Sequence, residues 1–112
     1  MEFDKLKTEI KNVELDMTRS DSEDYFEAVI KKARLEELAR VLEDNFGPPA
    51  WPSFHRLSQV AQIALKNFGG IRNGQTLYFS NNGAHQIFAM LWPWQDNERV
   101  TIKAGKVPYA IA

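Results

Sequence analysis

The sequence contains no cysteine. That absence excludes disulfides, thiolate metal sites and thiol nucleophiles together. Histidine is scarce: only His55 and His85 are present, and neither falls in a metal-binding spacing such as HExxH or HxxxH. Each sits beside an expected turn, where structural histidines are common. No serine occupies a GxSxG elbow. No apolar run approaches the roughly 18 residues that a membrane helix needs, so no membrane partner is expected. The opening stretch MEFDKLKTEI is charged throughout, so no secretory leader is expected and a cytoplasmic setting is. Catalytic residues, metal ligands and cofactor-binding residues are therefore assigned to no position, and an enzyme ranks last among the function classes.

Glycine is also sparse, with six in the chain, but four of them fall in FGGIRNGQTLYFSNNG (68–83). Phosphate-cradling loops run strand, glycines, helix, so that a helix N-terminus faces the anion. Here the order is helix, glycines, strand. Gly69 stands at a helix C-terminus, whose dipole repels anions. These glycines read as a helix stop and a turn. Arg72 protrudes from this turn and is a candidate contact for an acidic partner.

What is present fits one ordinary globular domain over residues 1–112, with residues 1–20 a loosely assigned N-terminal segment. Hydrophobic residues make up 44% and charged residues 26%, which excludes a disordered chain. The net charge of −1 divides unevenly, −5 over residues 1–44 and +4 over 45–112. Bases in the second part are too dispersed to form a dense patch, so complementary halves are expected rather than a nucleic-acid footprint.

Phe3, Leu6, Ile10, Val13 and Met17 recur at helical spacing, although VELDMT (13–18) alternates like a strand; a helix fraying near Asn12 is the expectation. TRSDSED (18–24) is a turn by composition. YFEAVI (25–30) is strand-like, being aromatic and β-branched. ARLEELARVLEDNF (33–46) is an amphipathic helix with Leu35, Leu38, Leu42 and Phe46 inward, stopped by Gly47 and two prolines. After the connector GPPAWPS, Ser53 is placed to cap a helix over 54–68. QTLYFS (75–80) and HQIFAMLW (85–92) form a hairpin across NNG, and ERVTIK (98–103) adds a strand. The tail VPYAIA suits an edge strand or a cover. The expected fold is α+β: an antiparallel sheet of about four strands, with two helices, or three with the N-terminal segment, packed on one face.

The strand HQIFAMLW is apolar on both faces, so something covers each. Helices supply one cover, and a second subunit is the expected other. Trp92 and Trp94 flank Pro93 and point roughly the same way; with Trp51, Tyr78 and Phe79 they make an aromatic group near the end of the sheet. Partly exposed tryptophans are typical interface anchors. Arg99 and Lys103 share a strand face with Thr101. Asp96, beside WPW, reads as a turn cap rather than a general acid. The expected function is a non-enzymatic interaction or accessory domain that forms a homodimer through its sheet, with another protein as a further partner. The alternative is a small-ligand or nucleic-acid-binding domain using Trp92, Trp94, Trp51 and Tyr78 with Arg72, Arg99 and Lys103.

Overall fold

The computed structural model describes residues 2–52, 59–69, 74–81 and 85–108. Helix α1 (Phe3–Lys11) buries Phe3, Leu6 and Ile10, the stripe that three-and-four spacing produces. It ends at Asn12, and the chain becomes extended in β1 (Met17–Asp21). Strand β2 (Tyr25–Lys31) follows, then a 3-10 turn (Lys32–Arg34) that feeds α2 (Leu35–Phe46). Leu38 and Leu42 are fully buried, while Leu35, Val41 and Phe46 pack at the margin of the core. Gly47 ends α2 at φ +81°, a region where a side chain is strained. Helix α3 (Gln59–Leu65) runs into a second 3-10 turn (Lys66–Phe68), stopped by Gly69 at φ +90°. Strands β3 (Thr76–Asn81), β4 (His85–Pro93) and β5 (Arg99–Pro108) complete the described fold.

All pairings are antiparallel, in the order β1-β2-β5-β4-β3, giving an α+β arrangement around a five-stranded sheet. The longest strand, β5, therefore sits centrally. It continues through Ala104-Gly105 to Pro108, so Val107 and Pro108 extend this strand instead of making a separate edge. Pro108 is tolerated because β2 pairs only as far as Gly105, leaving the far end of β5 with β4 as its one sheet neighbour. Gly105 is needed there: a Cβ would lie 2.6 Å from Cε1 of Phe88, the residue directly opposite.

Two expectations need correction. The polar stretch after Met17 is not wholly a turn, because its first residues form β1, paired with β2 through a register shift between Thr18 and Ser20. Polar composition hid it: β1 is an edge strand, and only Ser20 in it is even partly buried. The helices also do not all share one face. Helices α1 and α2 cover one side, in a core with Phe26, Ala28, Ile30, Tyr78, Ile87, Ala89, Ile102 and Ala104. Helix α3 lies on the other side, where Ala61 and Leu65 pack with Leu77, Phe88 and Met90. The two apolar faces of β4 are thus both covered from within the chain, at least along β3 and β4.

Residues 54–58 of the expected third helix, its Ser53 cap, His55, the hairpin loop 82–84 and the tail after Pro108 lie outside the described residues.

Candidate functional site

Register places Tyr25, Glu27, Val29 and Lys31 of β2 on the same side as Arg99, Thr101, Lys103 and Gly105 of β5, and Met17 beside Val29. This is the side on which α3 lies. Helix α3 and its 3-10 turn reach across β3 and β4 and stop at Tyr25, whose ring stacks on Phe68 at 5.6 Å. Among the described residues, no helix packs over the remaining half, formed by β1, β2 and β5. Met17 is 52% exposed there.

Two tryptophans border this open half. Trp94 leaves β4 and folds back over the sheet, donating its indole N–H to Thr101 Oγ1 at 2.8 Å. The guanidinium carbons of Arg19 and Arg99 lie 5.5 and 5.6 Å from its ring centroid, within cation–π range. Trp92 carries the Lys103 ammonium 3.7 Å from its ring centroid. Its far edge abuts Gly69, where a Cβ would sit 3.1 Å from Cη2. The Trp92 Nε1 atom is buried and has no hydrogen-bond acceptor among the described residues. Leaving such a donor unpaired costs about 1–3 kcal/mol.

Most charges on this half are satisfied locally. Arg99 donates to Asp16 at 3.3 Å and to Asp96 at 3.1 Å, which raises its already high pKa. Arg19 pairs with Glu27 at 3.7 Å, and Glu27 also accepts from the Tyr25 hydroxyl at 2.6 Å. Burial, followed by this contact with Glu27, pushes the Tyr25 hydroxyl above its ordinary pKa. Lys103 stands opposite Glu27 in register yet turns to Trp92, and makes no ion pair among the described residues. Asp96 accepts from the Glu98 and Arg99 amides at 2.9 and 3.2 Å. The Glu98 amide, then that of Arg99 and the Arg99 side chain hold its carboxyl below the ordinary aspartate pKa. It is a turn cap, fixing the β4–β5 connection in which Asn97 adopts φ +59°.

Four of the sequence-derived residues therefore meet on one surface: Trp92, Trp94, Arg99 and Lys103. Trp51 does not join them. It bridges to Leu77 and closes the outer edge of β3, with the Leu77 amide donating to Trp51 O at 2.9 Å. Tyr78 faces the opposite side, buried against α2 with its ring 5.9 Å from Phe46. Residues 77 and 78 necessarily point to opposite faces of a strand, so neighbours in sequence part in space. Arg72 lies outside the described residues. Arg19, Glu27 and Met17 belong to the same surface and were not among the candidates: Arg19 fell in a stretch expected to be a turn, Met17 in an expected helical stripe, and Glu27 in a strand whose neighbours the sequence does not reveal. The alternation in VELDMT was the one signal pointing to a strand at Met17.

A depression of about 350 Å³ is lined by Lys31, Lys32, Asn97, Glu98 and Arg99, and another of about 350 Å³ by Glu2, Asp4, His85 and Lys106. Among the described residues no group of three metal-binding side chains converges, and no helix is long and apolar enough to cross a membrane. Comparison with family models, with curated proteins and with solved structures found no match to this chain.

Proposed function

We propose that this protein is a non-enzymatic interaction domain that self-associates through the open half of its sheet. The carrying observation is a cluster of Met17, Arg19, Trp94 and Arg99 on a sheet surface that no described helix covers. Aromatic residues, Met and Arg are the types enriched at protein interfaces. The covering subunit inferred from the two apolar faces of β4 is no longer required by β4 itself. The half without a described helix is that of β1, β2 and β5; Val29 and Thr101 at its centre are already buried, so a partner would meet Met17, Arg19, Trp94 and Arg99 around them.

Charge pairing favours a second copy over a polyanion. Arg19 and Arg99 already hold Glu27, Asp16 and Asp96. A nucleic acid would have to displace those acids before it gained counterion release. Arg19 and Arg99 reach a two-copy contact already paired with their own acids, and a two-fold axis lets one patch serve both subunits. The contact should bury more than roughly 1,000 Å² in total.

Sedimentation velocity tests this. Wild-type protein is expected to sediment as a dimer at high micromolar concentration, and Trp94→Glu as a folded monomer. Because Trp94 also packs on its own chain, circular dichroism must accompany the measurement. A folded Trp94→Glu variant that still dimerises places the contact elsewhere.

A further inference from the structure

Among the described residues, one cation without an ion pair and one N–H without an acceptor meet at a single indole. Lys103 Nζ lies 3.7 Å from the Trp92 ring centroid. Trp92 Nε1 is buried without an acceptor. The acid nearest in register, Glu27, is held by Tyr25 and Arg19. The ring itself is fixed in place, with its outer edge against Gly69. We propose that Trp92 Nε1 and Lys103 Nζ together bind a carboxylate.

The donor set selects the ligand class. A carboxylate offers two oxygens, one for the indole N–H and one for the ammonium, and charge-assisted hydrogen bonds of this kind are short and strong. It carries one negative charge, and among the described residues at this spot Lys103 is the cation without a carboxylate partner; Arg19 and Arg99 are engaged by Glu27, Asp16 and Asp96. A phosphate dianion would leave a charge uncompensated. The Lys103 side chain is partly exposed, and it is long enough to swing off the ring towards an entering carboxylate while keeping its stem on the sheet.

The same chemistry can come from a free small organic acid or from an acidic side chain of a second copy docked on the open half. The first source is independent of self-association; the second rests on that reading.

Indole N–H signals in 1H–15N correlation spectra distinguish these sources. At dilute, monomeric protein, sodium acetate is expected to move the Trp92 signal saturably, against sodium chloride at equal ionic strength. Trp94, already donating to Thr101, stays put. Lys103→Met should weaken the acetate response by roughly tenfold or more, the loss of one charge-assisted hydrogen bond. If acetate does nothing but raising the protein concentration moves the Trp92 signal, and Lys103→Met abolishes that movement, the carboxylate belongs to a second copy. A Trp92 signal indifferent to both, or moving equally with chloride, overturns the proposal, even if sedimentation still shows a dimer.

Discussion

Gly105 shows how a single residue sets the packing of the central strand. It lies opposite Phe88, and the aromatic ring occupies the space where a side chain would stand. Gly105→Ala would bring a Cβ to 2.6 Å from Cε1 and 2.8 Å from Cζ of that ring, so Phe88 or the strand must shift. Overpacking of this kind costs typically about 1–3 kcal/mol. Urea denaturation of Gly105→Ala is expected to show a loss in that range; an unchanged midpoint would mean the ring is free to move. The sequence offered no hint of this glycine's role, because the contact is made across strands. Gly47 and Gly69 were legible, since helix stops are local: both follow helical segments and both take positive φ.

At the scale of elements, α2 was readable because its apolar stripe is strong and its end is punctuated by Gly47-Pro48-Pro49. Leu38 lies wholly inside the core, so Leu38→Ala is expected to cost about 2–5 kcal/mol in equilibrium unfolding. A change within experimental error would contradict the packing of α2 on the sheet. Strand β1 was not readable, because its stability comes from a partner strand and from α1 rather than from its own composition. Asp21 at its end accepts from Lys7 at 3.0 Å and Lys11 at 2.5 Å, tying the strand to the helix. Lys11 and then Lys7 hold the Asp21 carboxyl below its ordinary value of 3.8. A carboxyl depressed in the folded state stabilises above its unfolded pKa, and that contribution is lost as pH falls through the folded value. Asp21→Asn should therefore be less stable than wild type at neutral pH, with the gap closing below pH 3.8. Urea midpoints over a pH series measure this, and a gap independent of pH would contradict the ion-pair assignment.

Over the whole molecule, the sequence revealed that β4 is apolar on both sides but not which element covers each. Strand pairing order decides that, and the order here separates β3 from β1 by three intervening strands. The expected joining of acidic and basic halves is limited: Asp16–Arg99 crosses between them, whereas Lys7, Lys11, Arg19 and Arg34 find their acids within the first part of the chain. The candidate surface was half legible, with Trp92, Trp94, Arg99 and Lys103 named from β4 and β5, and Met17, Arg19 and Glu27 contributed by strands whose position only the fold reveals. Two large hydrophobic side chains stand out as exposed among the described residues, Met17 at 52% on the open half and Ile63 at 36% on α3. Neither is part of a core cluster, so a lysine at either position should leave stability within roughly 0.5 kcal/mol. Sedimentation of wild type, Met17→Lys and Ile63→Lys at matched high micromolar concentration is the most direct test. Docking on the open half of the sheet predicts that wild type and Ile63→Lys dimerise while Met17→Lys is monomeric. A monomeric wild type, or a Met17→Lys variant that dimerises as wild type does, would contradict it.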